Sequence, residues 1–352
     1  MSRLVLLSML LIQPLLCTGR WQWQDLPALP QALGGVFAGV VDNQLIVAGG
    51  SYWRGAPWIP GSEKIFVDTI YALAPGAKQW RSVGHLPAPS GYGASIVKDN
   101  ALWLIGGQDL KGAQSSILRI TSAGQVTTVG HLKDPLMMTA TARLNGQFYL
   151  LGGQPNLKTC LRSANLTEWQ ACPAWPGPGR FFSQATQLNG ALYLAGGADL
   201  KDGQRIFLAD AYRLLDGQWS ALPSLPVPLQ AGFAATSGRS LLILSGSDGA
   251  LAPFEAELGT DHPGFSPIIW SFDGKRWAPI GRMPYAPVTS TLVEWQGALV
   301  IPGGEDRPDG GAVCRRPGAG HQIDGRADPS PAQAPGACRR RTDREHRVGH
   351  RI

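Results

Sequence analysis

Short apolar runs of four or five residues recur along the chain, and each ends in a pair of small residues. Leu45-Ile46-Val47-Ala48 runs into Gly49-Gly50 and Leu102-Trp103-Leu104-Ile105 into Gly106-Gly107, and the pattern repeats at Gly152-Gly153, Gly196-Gly197, Ser245-Gly246 and Gly303-Gly304. The runs are too short for helices and rich in Leu, Ile and Val, so they predict buried β-strands. Six residues ahead of each pair stands a turn residue: Asn43, Asn100, Gly146, Gly190, Arg239 or Gly297. Four of these belong to Asp-Asn or Asn-Gly dipeptides, which tolerate the positive φ of a two-residue hairpin. Each unit therefore opens strand, tight turn, strand.

The six pairs lie 44 to 58 residues apart, and a second marker accompanies them. A Trp is followed seven residues later by Pro at Trp80/Pro87, Trp169/Pro176, Trp219/Pro226 and Trp277/Pro284, with a further copy at Trp23/Pro30 ahead of the first pair. These Trp residues read as packing groups of outer strands. Four strands in a unit of about 50 residues is the blade of a kelch-type β-propeller. The expectation is an all-β, six-bladed propeller over residues 20–308, its last blade closed by the N-terminal strand Trp23–Pro30; seven blades is the alternative count.

In a four-stranded antiparallel blade, the loop after the second strand and the loop entering the next blade emerge on one face. Function is expected there, among residues following each pair and each Trp marker. This gathers Arg54 and Lys64 after the first pair, Glu305 and Arg307 after the sixth, and Arg180 on the way into the fourth unit. Guanidinium and ammonium groups suit an anionic carboxylate ligand, and a partly desolvated Glu exchanges protons. Taken singly, each Arg or Lys is more often a solvated loop charge. No H-E-x-x-H, Cys-x-x-Cys, Walker loop or G-x-S-x-G elbow occurs, and His85, His131 and His262 are scattered, so no metal site is expected.

Composition agrees: of 352 residues, 45 are Gly, 28 Pro and 12 Trp, and only 16% are charged. The net charge of +6 is misleading, because residues 309–352 carry nine Arg against five acids and leave 20–308 near neutrality at +1. No basic footprint for nucleic acid remains. Residues 1–19 read as a secretory signal, with Arg3, the apolar run Leu4 to Leu16, and Cys17-Thr18-Gly19. An uncleaved anchor and lipidation at Cys17 are the alternatives to a protein free of the membrane after signal removal, periplasmic or secreted. In that oxidising setting Cys160 and Cys172, flanking a hairpin, are expected to form a cross-strand disulfide. Residues 309–352 contain no Phe, Tyr, Trp, Leu, Met or Lys. They read as a disordered or aberrant tail, an out-of-frame segment in appearance, unable to supply the last blade's third strand.

The residues resemble a known family, the bacterial N-acetylneuraminate epimerases or sialic-acid mutarotases, in their cyclically permuted branch. The resemblance rests on Gly34-Gly35-Val36-Phe37-Ala38-Gly39 with Leu45 to Gly50, on Gly61 to Leu73 with Lys64 and Asp68, on Gly91-Tyr92-Gly93 with Leu104 to Gly107, and on Gly303-Gly304-Glu305-x-Arg307-Pro308. It implies six blades, a periplasmic location, no cofactor, and interconversion of the α and β anomers of a sugar acid. Glu305 falls on the family's proton acceptor, and Arg180, Lys64, Arg54 and Arg307 are the candidates to hold the substrate. The Gly and terminal Arg of the family's motif do not follow Pro308 here; Asp309-Gly310-Gly311 stands in their place. The rival expectations are a non-enzymatic kelch propeller binding a glycan or protein, and a lyase or hydrolase acting on a related sugar acid.

Overall fold

The computed structural model describes residues 21–306 and, as backbone, the strand Ala319–Asp324. Residues 1–19, expected to be a secretory signal, the motif residue Arg307 and the remainder of 309–352 lie outside the described residues. The chain is an all-β propeller, and among the described residues helical turns occur only between Ala252 and Asp261. None of the described helices is long and apolar enough to cross a membrane.

Five blades are complete, each a four-stranded antiparallel meander. The first is typical: Phe37–Val41, Gln44–Ala48, Thr69–Leu73 and Arg81–His85 lie side by side in chain order. The hairpin between its first two strands turns on Asp42 and Asn43, both at positive φ, as the dipeptide signal predicts. Five is one short of the repeat count. The remaining sheet is assembled from both ends of the sequence, in the order Val293–Trp295, Ala298–Ile301, Ala319–Asp324, Gln22–Ala28.

That sheet corrects one expectation. Ala319–Asp324 pairs with Ala298–Ile301 on one side and with Gln22–Ala28 on the other, so the segment denied a third strand supplies one. Strand pairing is carried by backbone N–H and C=O groups, and a slot with a partner on each edge satisfies both sides whatever the side chains.

Two sets of interblade bonds position the inner strands. One residue just before each first strand donates its N–H to its counterpart in a neighbouring unit: Tyr92 to Gly35, Met138 to Tyr92, Phe182 to Met138, Ala231 to Phe182, Thr289 to Ala231, and Gly35 to Thr289, at 2.6 to 3.0 Å. The six bonds form a closed cycle, and all six residues have positive φ. Beside this cycle the residue after each small pair bridges to the residue before each cycle member, as Ser51 does to Gly34 and Glu305 to Val288. The pairs are small because the next blade crosses directly above them. A Cβ on Gly106 would lie 2.1 Å from the carbonyl oxygen of Leu136, at a φ of +63°.

Apolar clusters fill the gaps between blades; Phe37, Ile46 and Ile70 of the first pack on Leu102, Leu104 and Leu118 of the second. The outer Trp residues do more than pack. Trp80, Trp219 and Trp277 each donate Nε1–H, at 2.7 to 2.8 Å, to a Pro carbonyl of the preceding blade: Pro27, Pro173 and Pro223. Each acceptor lies four residues after that blade's own marker Trp. Cys160 and Cys172 of the third blade are joined by a disulfide, their Cα atoms 5.1 Å apart.

Candidate functional site

Glu305 follows the sixth small pair, and its bridge to Val288 fixes its backbone beside the hydrogen-bonded cycle. Its side chain lies against Gly34 of the adjoining unit, where a Cβ would come within 2.5 Å of Glu305 Cγ. Three further residues converge on it. Tyr92, a member of the cycle, donates its hydroxyl to Glu305 Oε1 at 2.5 Å. Lys64, on the hairpin Ser51–Arg54/Glu63–Phe66, donates Nζ to the Tyr92 hydroxyl at 2.6 Å and to Glu305 Oε1 at 3.5 Å. Ser51 Oγ lies 3.1 Å from the same Tyr92 oxygen.

The arrangement is graded in exposure. Tyr92 is buried, 6% exposed, with its ring edge-on to Phe66 and Phe182. The side chains of Lys64 and Glu305 keep 25% and 37% of their surface, so ammonium and carboxylate both face solvent while the phenol joins them from behind. Lys64 Nζ also lies over the Tyr92 ring, 4.4 Å from its centroid, and 5.6 Å from that of Trp53. Burial pushes the Tyr92 phenol far above its ordinary range, and the charge and hydrogen bond of Glu305 push it further. The phenol is therefore neutral at any working pH and serves as a hydrogen-bond donor. A carboxylate, a neutral phenol and an ammonium in one hydrogen-bonded row can accept and supply protons at adjacent points.

Of the residues singled out from sequence, the structure brings Glu305 and Lys64 together. It does not bring Arg54, whose guanidinium pairs with Glu63 at 3.1 Å far out on the hairpin, both side chains more than 60% exposed. Arg180, expected to hold a substrate carboxylate, is enclosed instead. Its side chain is 0% exposed and donates to Asp210 Oδ2 at 2.8 Å and to the Gly196 carbonyl at 2.9 Å, between the rings of Trp175 and Tyr212. An Arg on a loop and an Arg clamped between blades look alike in sequence, because the paired carboxylate, Asp210, lies 30 positions away. Tyr212 donates to the same Asp210 oxygen at 2.5 Å, and burial together with that bond raises its phenol to about 12.

Tyr92 and Ser51, which the structure places beside Glu305 and Lys64, are not among the residues singled out from sequence. A signal existed: Gly35, Tyr92, Ala231 and Thr289 each stand five residues after a marker Pro, at Pro30, Pro87, Pro226 and Pro284. Aligning the units on that Pro places Tyr92 on the inner cycle, while aligning Ser51 and Glu305 on the small pairs places both on the neighbouring bridge.

Fold and site together define an all-β propeller with an acid–phenol–ammonium row at one end of its inner strands. No family model matches the chain. It is 32% identical over 104 residues to N-acetylneuraminate epimerase 1 of Escherichia coli O6:H1 (strain CFT073), and 34% identical over 113 residues to the N-acetylneuraminate epimerase of Yersinia pestis (strain Pestoides F). These matches cover 26% and 27% of this chain and span only about a quarter of each relative, 27% and 28%. Alpha-scruin of Limulus polyphemus is 24% identical over 205 residues, 54% of this chain and 22% of that one. Among solved structures, the one titled "Structure of YjhT" superposes with a TM-score of 0.61 over 85% of this chain and 96% of that one, at 17% identity, a likeness of fold.

Proposed function

We propose that this protein is a sialic-acid mutarotase: an isomerase that interconverts the α and β anomers of N-acetylneuraminate or a close sugar acid by opening and reclosing the hemiketal ring. The observation that carries the reading is the solvent-facing Glu305 carboxylate, which receives the Tyr92 hydroxyl at 2.5 Å and has Lys64 beside it. The partial likeness to proteins named N-acetylneuraminate epimerase points the same way. Glu305 takes the anomeric hydroxyl proton as the ring opens and returns it when the ring closes on the other face. Lys64 supplies positive charge where an anionic sugar acid would enter, and Arg307, two residues beyond Glu305 in sequence, is the second candidate for that role.

The same reading counts the sheet shared by the chain ends as the sixth blade, on the strength of the six-membered cycle of backbone bonds. It also takes the protein as exported after loss of residues 1–19, in keeping with the Cys160–Cys172 disulfide.

A proton NMR time course tests the activity. The α anomer of N-acetylneuraminate is dissolved and its decay followed with no protein, with the parent, and with Glu305→Gln. The expectation is faster approach to the same equilibrium with the parent, and loss of a factor of about 10² or more of that acceleration in the variant, the usual range for a general base. An unaccelerated parent refutes the activity and favours a propeller that only binds. An accelerated parent with an unchanged variant removes Glu305 from the role.

A further inference from the structure

A carboxylate and an ammonium can hold a sugar acid by its hydroxyls and its charge, but a pyranose ring also carries faces of C–H bonds that gain nothing from water. A ligand site covers such a face with apolar or aromatic side chains, and the negative face of an aromatic ring attracts the polarised C–H groups. The hairpin that bears Lys64 leaves one large aromatic ring open to solvent.

The geometry points to Trp53 as the platform on which an apolar face of the bound sugar lies, directly across the hairpin from Lys64. The assignment rests on the mutarotase reading and adds a substrate-binding residue to it. Strand alternation puts Ser51, Trp53, Lys64 and Phe66 on one face of the hairpin, with Trp53 paired to Lys64. The other three members of that face all meet Tyr92: Ser51 Oγ at 3.1 Å, Lys64 Nζ at 2.6 Å, and the Phe66 ring edge-on with centroids 6.1 Å apart. Trp53 therefore extends outward a face that is already turned toward the site. The Lys64 ammonium links it to the row, 5.6 Å from the indole centroid and 3.5 Å from Glu305 Oε1, so base, cation and indole fall within the span of one sugar acid.

Trp53 also differs from the tryptophans that hold the blades. It keeps 38% of its surface exposed. Seven others donate Nε1–H to a backbone carbonyl, and among the described residues no acceptor takes that of Trp53. Its exposure is not that of an unanchored loop. Beyond it in the hairpin turn, Trp58 lies against Gly259 of the fifth blade's helical turns, where a Cβ would come within 3.0 Å of Trp58 Nε1. The hairpin is pinned at its base on Tyr92 and at its turn on Gly259, and Trp53 stands between these points with an apolar face and a donor available to a ligand.

The test compares Trp53→Ala and Trp53→Phe with the parent, all as the full chain. Affinity for N-acetylneuraminate is measured by calorimetry and anomer exchange by NMR. Contact is read from the indole N–H signals of protein made with nitrogen-labelled tryptophan, in which the signal lost in Trp53→Phe is that of Trp53. The platform predicts a dissociation constant raised about tenfold or more in the alanine variant but within about threefold of the parent in the phenylalanine variant, which keeps a flat apolar ring. KM should rise with the dissociation constant while kcat stays within about threefold, because the sugar face is covered equally in ground and transition states. The Trp53 signal of the parent should shift on titration and exchange magnetisation with the C–H protons of the sugar. A Trp53 that merely steadies Lys64 would instead lower kcat and show no such exchange. An alanine variant that binds like the parent, equal losses in both variants, or a Trp53 signal without magnetisation exchange overturns the platform and leaves the mutarotase reading intact. A parent that binds the sugar acid without accelerating exchange refutes the mutarotase activity, while affinity and magnetisation exchange still decide the platform. A parent that does not bind refutes both.

Discussion

Gly34 offers a way to move the candidate base without deleting it. It has no positive φ, so alanine is permitted by the backbone, and its N–H and C=O keep their bonds to Ser51 at 2.9 and 2.8 Å. The new Cβ would sit 2.5 Å from Glu305 Cγ, 2.9 Å from Oε1 and 3.1 Å from Cδ. Carbon atoms rest at about 3.5 to 4 Å, so the Glu305 side chain must retreat by roughly 1 Å. That retreat draws the carboxylate off Tyr92, breaking a charge-assisted bond of about 1.5 to 3 kcal/mol, part of which water restores at this half-open position. Stability should fall by about 1 kcal/mol. A misplacement of about 1 Å costs catalysis on the order of 10²-fold, equivalent to about 2.7 kcal/mol of barrier. For Gly34→Ala the NMR exchange assay should therefore show a rate near 1% of the parent, with thermal unfolding displaced by only a few degrees. A variant that exchanges anomers within threefold of the parent would refute the reasoning, because the rate would then be indifferent to where Glu305 stands.

Two further predictions concern the enclosed Arg180–Asp210–Tyr212 group. Arg180→Met strands Asp210 without its guanidinium, and chemical denaturation should register a loss of about 2 to 4 kcal/mol, the lower part of the range for breaking an enclosed pair because Asp210 is partly open to solvent; if Arg180 held the sugar's carboxylate instead, binding would vanish at unchanged stability. Tyr212 retains its proton in the fold up to about 12, against about 10 in an unfolded chain, so its contribution is complete below pH 10 and is lost as pH rises from 10 through 12. Denaturation midpoints across that window should decline less steeply for Tyr212→Phe than for the parent, and equal slopes would contradict the assignment.

The blades were legible because their signals are local. The Asp42-Asn43 turn, the small pairs and the Trp–Pro spacing each recur at fixed places along a unit, and the structure uses all three, the first inside a hairpin and the other two where one blade meets the next. That Glu305 and Lys64 emerge on one face was legible from their place after a small pair, a position that repetition alone sends there. The enclosure of Arg180 was not legible because it depends on Asp210 and Tyr212, which only folding brings against it. Ala319–Asp324 was misread because composition says what a strand can pack against, and this strand is held by two backbone edges.

The sequence by itself determined the repeating unit, the all-β class and the face on which chemistry could gather, since hydrophobic period, turn residues and glycines act over a few neighbouring positions. Only the tertiary structure decided which charges meet. Lys64, Tyr92 and Glu305 come from three different units, 241 positions separating the ammonium from the carboxylate. They touch because the cycle of bonds through Gly35, Tyr92 and Thr289 brings the last unit against the first. Ring closure is a property of the whole assembly of sheets, and no segment read alone contains it.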